Sequence, residues 1–216
     1  MRKFTRKAMA TTAAAATTLA LAAVPASAAG TWTVSPGGTV SGVNTVALQA
    51  VDLSTGAPVI CNVSTASGTA QSGSGLSGAG IAQLDSVSFS TPGNPNNWCT
   101  GPVGIVVKVT ATNLPWTFNA HSYDAATGVT SGELTGIKAE IHGSDECDAT
   151  ITGPGGAGGT ITGTHTNGSS TLDVSGNTLE VATADADCDP SLINEGDQVA
   201  LIGQYALSPG QTITSP

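Results

Sequence analysis

Positive charge almost vanishes from this chain once its first thirty residues are set aside. Arg2, Lys3, Arg6 and Lys7 are four of the six basic residues, so Lys108 and Lys138 alone stand against fifteen carboxylates. Nucleic acid is excluded as a partner, because phosphate backbones are gripped by clustered Lys and Arg. Anionic membranes and teichoic-acid-like polymers are disfavoured for the same reason, unless a divalent cation bridges them. The acid is uneven, with twelve of the fifteen carboxylates from Glu133 onward. Outside a cell such a balance favours solubility.

Long apolar runs are missing as well. Only the leader has one: a basic n-region, an Ala/Leu/Val stretch up to Val24, and Ala26-Ser27-Ala28 as a small-x-small cleavage site. We expect residues 1–28 to be a secretory signal peptide cut after Ala28, and 29–216 to be one secreted β-domain. The basic residues form no twin-arginine pair, which favours general secretion. No later segment approaches the roughly 18 apolar residues of a membrane span. No cysteine near the cleavage site offers a lipid attachment point, and the tail SPGQTITSP carries no anchor.

No C-x-x-C pair occurs, which disfavours structural zinc. An even cysteine count in an exported chain implies two disulfides among Cys61, Cys99, Cys147 and Cys188. Three pairings are possible. Cys61–Cys99 with Cys147–Cys188 is favoured, because each link closes a loop of about 40 residues in its own half, worth roughly 4 kcal/mol on the chain-entropy account. Such links matter where bulky side chains are few: beyond the leader there are only three tryptophans, two tyrosines, Phe89 and Phe118.

Helical periodicity is absent too; the pattern has a period of two. Ile105, Val107, Val109 and Ala111 oppose Val106, Lys108, Thr110 and Thr112, and Ile137, Ala139 and Ile141 oppose Lys138, Glu140 and His142. Val199, Leu201, Tyr205 and Leu207 share a face on which Gly203 leaves a gap. TLDVSGNTLEVAT reads as a hairpin turning at Ser175-Gly176-Asn177. With Gly and Pro as punctuation, the expected fold is all-β: an antiparallel sandwich or barrel with two disulfides. The cysteine pairs suggest a weak internal duplication, with half-repeats at about 30–118 and 119–216.

The blocks LPWTFNAHSYDAATGVTSGELTGIKAEIHG, GGTITGTHTNGSSTLDV and NEGDQVALIGQYALSPGQTITSP, interleaved with Cys147 and Cys188, resemble an uncharacterised family of small secreted actinobacterial proteins. The likeness runs from about Val59 to the end. It implies secretion and β-structure, and lends no reaction, ligand or catalytic residue.

DADCDPSLINEG, from Asp185 to Gly196, carries Asp at its first, third and fifth places like a calcium loop. An EF-hand requires Gly sixth and a bidentate Glu twelfth; here Pro190 and Gly196 stand there. If Cys147 joins Cys188, however, Asp145, Glu146 and Asp148 come within reach of Asp185, Asp187 and Asp189, and six crowded carboxylates either repel one another or recruit a hard cation. Gly73–Gly78 matches G-x-G-x-x-G without a strand-to-helix setting, and GGAGGT at 155–160 opens like a calcium nonapeptide but has Thr160 in place of Asp. No cofactor is expected.

Catalytic signatures are equally scarce: there is neither a G-x-S-x-G elbow nor an H-E-x-x-H. His142 and His165, on alternating strands, read as surface or rim histidines. His121, beside Tyr123 and Asp124, is the better candidate for a functional role. Trp98 next to Cys99, and Trp116 before Phe118, suit either core packing or a sugar-stacking platform. The leading expectation is thus a secreted, non-enzymatic β-domain with a structural or binding role at the cell envelope. The alternatives are a carbohydrate-binding module that recognises cell-wall polysaccharide, a weak calcium binder and an extracellular hydrolase; self-association through strand edges is a further possibility.

Overall fold

The computed structural model describes residues 31–216; the leader and its cleavage site lie outside the described residues. Sixteen strands are present, with three single turns of 3-10 helix and no α-helix among the described residues. None of their helices is long and apolar enough to cross a membrane.

After β1 (Trp32–Ser35), the strands β2 (Gly38–Asn44) and β3 (Leu48–Asp52) run end to end, as do β4 (Pro58–Cys61) and β5 (Val63–Ala70). β6 (Gly73–Leu76) is an excursion. β7 (Ala82–Ser90) is continued by β8 (Cys99–Thr100), and β9 (Val106–Thr112) by β10 (Trp116–Asp124). β11 (Val129–Gly143) is a single long strand, followed by the broken pair β12 (Asp148–Thr152) and β13 (Gly159–Thr166). Last come β14 (Thr171–Ala184), β15 (Gln198–Ser208) and β16 (Thr212–Thr214).

Counted this way, the wall has eight staves in chain order: β2/β3, β4/β5, β7/β8, β9/β10, β11, β12/β13, β14 and β15. Each pairs antiparallel with the next, and β15 closes back on β2/β3 through Tyr205↔Asn44 and Leu201↔Ala50. Of the two expected architectures the ring selects the barrel, an up-and-down closure in which every stave has a hydrogen-bonded partner on both sides. β1 pairs on either side with β6 and β16, and this three-stranded sheet lids one end. Trp32, Val34 and Ile213 are its buried side chains.

The period of two dictates which side chains enter. On β13, Ile161 and His165 line the interior and Gly163 lies beneath Phe118, while Thr160, Thr162, Thr164 and Thr166 face out. Outward hydroxyls pair across the second and third staves, Thr65 with Ser88 and Ser67 with Ser86, at 2.7 Å each. Apolar inside and polar outside is the reverse of a membrane-spanning barrel.

One expectation fails. Thr171–Ala184 is one continuous strand, without a hairpin at Ser175-Gly176-Asn177. Leu172 and Val174 point inward, and a strict period of two would turn Leu179 and Val181 outward. A bulge between Gly176 and Leu179 shifts the register and returns both to the interior. Gly176 fits because Ile161 lies against it: a Cβ there would come within 2.8 Å of the Ile161 Cγ2.

Both expected disulfides form, Cys61–Cys99 and Cys147–Cys188. The first ties the second stave to the third and the second ties the sixth to the seventh, both at the end opposite the lid.

Candidate functional site: the barrel interior

An eight-stranded barrel is about wide enough either to be filled by its own side chains or to hold one small ligand. Here the inward positions are too small to fill it. Ala50, Ala66, Ala82 and Ala139 point in, together with Gly42 and Gly68, whereas Gly163 and Gly203 are covered by the Phe118 and Leu48 side chains. Larger inward residues, among them Leu84, Val87, Val109, Ile141, Leu172 and Leu201, are only half-buried although they face the centre of the molecule. They pack against the buried core on one side and border a space on the other. The resulting cavity measures about 260 Å³ and is almost wholly apolar, just below the roughly 300–1,000 Å³ of ordinary ligand sites.

Polar side chains interrupt the lining at few places. Tyr205, on the last stave, hydrogen-bonds through its hydroxyl with buried Ser64 at 2.8 Å, and burial raises the phenol's pKa. Gln211 accepts from the Gly37 N–H and donates to the Pro209 carbonyl, so it is used up in fastening the lid.

His165 differs from both. It is 1 % exposed, lines the cavity, and neither Nδ1 nor Nε2 has a hydrogen-bond partner. This corrects the reading of His165 as a surface or rim residue. It stands in register with Leu172 on one side and Thr130 on the other. Thr130 Oγ1 donates to the Ile213 carbonyl, which places the imidazole directly beneath the lid strand β16. Burial lowers its pKa below the usual histidine value and keeps the ring neutral, with one donor and one acceptor.

The opposite end is a mouth framed by turns. Leu192 and Ile193 border the cavity from the 185–197 loop, which Cys188 tethers to Cys147. Thr55 Oγ1 donates to the Leu192 carbonyl, and Asn194 holds the Asp197 carboxylate from both its backbone and its side chain. The Asn194 side chain is also the main reason the Asp197 carboxyl sits below the ordinary range. Asp145, exposed, and Asp52, buried with Oδ2 unpartnered, are the carboxylates that reach the cavity here. The third and fourth staves, moreover, are joined only near their ends, by Leu84↔Trp116 and Cys99↔Val107. Between those points β7 and β9 run side by side without a ladder.

The other sequence-derived candidates scatter. Trp116 lines the cavity, with 6 % exposed and its indole N–H donating to the Thr112 carbonyl at 3.0 Å. Trp98, half-buried near the mouth, meets the His142 ring edge-on at 5.5 Å, so the two tryptophans share no face. His142 Nδ1 lies 2.8 Å from Asp148 Oδ1, and exposed His121 is 3.7 Å from Glu133. Tyr123 is half-buried against the core.

Asp145, Glu146, Asp148, Asp185, Asp187 and Asp189 are all exposed near the Cys147–Cys188 bridge. Asp185 and Asp189 cap turns, accepting from the Asp187 and Ser191 N–H groups respectively. Among the described residues, the one group of three potential metal ligands close together is Cys147, Asp185 and Cys188. Two of its members are the bridged sulfurs, which offer no thiolate.

No protein-family model, curated protein or solved structure matches the chain, so the site rests on its own residues.

Proposed function

We propose that this chain is an exported binding protein whose barrel encloses one small apolar molecule. The observation that carries the reading is the unfilled interior: inward positions are given over to alanine and glycine where leucine or phenylalanine would have packed the space. Leaving such a volume unfilled sacrifices contacts worth about 24 cal/mol per Å³ in measured core cavities, a cost that a ligand recovers. The two disulfides and the polar outer wall suit life outside the cell.

The experiment is fluorescence titration of the purified, disulfide-bonded protein with N-phenyl-1-naphthylamine, an uncharged probe that brightens in apolar surroundings. A saturable, blue-shifted signal at one probe per chain is expected. Ala139→Phe, which puts a ring into the cavity at an inward position, should abolish the signal while the protein stays folded. An unbrightened probe with the unmodified protein would end the reading.

A further inference from the structure

From the same interior we infer that the ligand is uncharged and mainly aliphatic or alicyclic, with a single alcohol or carbonyl group that hydrogen-bonds to His165 beneath the lid. This rests on the binding reading above and adds both the ligand's chemistry and its orientation.

His165 supplies the first half of the argument. Its two ring nitrogens are buried and have no hydrogen-bond partner within the protein, and leaving a buried polar group without a partner is costly. Native proteins rarely leave such groups idle. A neutral imidazole presents an N–H to a carbonyl or hydroxyl oxygen and a lone pair to a hydroxyl hydrogen. One polar group on the occupant therefore satisfies one nitrogen, and a single ordered water suffices for the other.

Charge supplies the second half. Neither Lys108 nor Lys138, the only cationic residues among those described apart from histidines, lines the cavity. The acids that do, Asp52 and Asp145, stand at the mouth. An anionic headgroup would pass two carboxylates and meet no cation within. A cationic headgroup would be held at the mouth, leaving His165 unpartnered. Only an uncharged polar end satisfies the imidazole, and the tail then points back toward Leu192 and Ile193.

The test is displacement of bound N-phenyl-1-naphthylamine by 1-decanol, decanoate and decylamine at pH 8, with the unmodified protein and with His165→Leu and His165→Gln. We expect 1-decanol to bind roughly tenfold or more tightly than either ion. His165→Leu should lose most of the alcohol's advantage, and His165→Gln, which keeps a donor and an acceptor, should retain it. The 15N signals of the His165 ring in the unmodified protein should move with 1-decanol and stay in place with decanoate, a readout independent of any variant's folding. Equal or better displacement by decanoate or decylamine, or an unmoved imidazole, overturns the assignment while probe binding leaves the cavity reading intact. If the probe itself fails to bind, both fall.

Discussion

At the scale of the single residue, His165 sets the pH response. Its folded pKa lies below the unfolded value near 6.5 because burial opposes the charged form. Above that pH both states carry a neutral ring and the residue contributes no slope. As pH falls through 6.5 the unfolded chain takes up a proton that the folded one refuses, so stability drops, and it levels off only below the depressed folded pKa. Urea unfolding between pH 8 and pH 5.5 should therefore show a falling free energy, this residue contributing at most about 1.4 kcal/mol by pH 5.5, and His165→Leu should flatten that slope. An unchanged slope in the variant would mean that other groups set it. The sequence held the signal for this residue: Ile161, Gly163 and His165 alternate with four outward threonines. It was obscured because glycine at the middle position carries no hydropathy, leaving Ile161 alone to mark the inner face.

At the scale of the element, bulges allow the wall to keep its apolar face inward. The strand alternations in the ninth and fifteenth strands, and in the second half of the eleventh from Ile137 onward, were legible from period alone, because each has uninterrupted spacing of two; ahead of Ile137 a bulge at Gly136 shifts the eleventh strand's register. The fourteenth was not: Gly176-Asn177 carries the composition of a turn, and composition does not distinguish a turn from a bulge. What decides is the neighbour, Thr160 and Ile161 on β13, which accepts the Thr178 hydroxyl and packs on Gly176. A second bulge falls at Ser67/Gly68 against β7, where a Cβ on Gly68 would strike the Gln83 carbonyl. Gly68→Ala should cost about 1–3 kcal/mol by overpacking. Gly38→Ala, with φ +77 but open space around it, should cost about 1 kcal/mol from backbone strain alone. Thermal melts of the two variants check this ranking, and equal losses would contradict it.

At the scale of the whole molecule, the two ends of the barrel are built differently: one is lidded by a small sheet, the other framed by turns and cross-linked. The disulfide pairing was legible because loop length favoured it, whereas the cavity was not, since no single stretch records that small inward residues from separate staves face a common centre. Each disulfide joins neighbouring staves, second with third and sixth with seventh, so that the two bridges lie four staves apart around the ring, and the turn dividing the first four staves from the last four falls at residues 125–128. The loops they close are similar, 38 and 41 residues. Replacing either pair by alanine should thus lower the unfolding free energy by a similar amount, about 3–4 kcal/mol. Ligand escape should separate them. Stopped-flow release of the bound probe should quicken with Cys147→Ala/Cys188→Ala, which frees the mouth loop, and change little with Cys61→Ala/Cys99→Ala. Identical release rates would place the exit elsewhere, along the unladdered stretch between β7 and β9.

Closure of the ring by β15 against β2/β3 joins residues between 147 (Val199↔Asp52) and 167 (Ser208↔Ser41) positions apart. A chain delivered amino end first from a ribosome thus remains an open ribbon with two raw margins until β15 arrives, and the enclosed interior comes into being only at that moment.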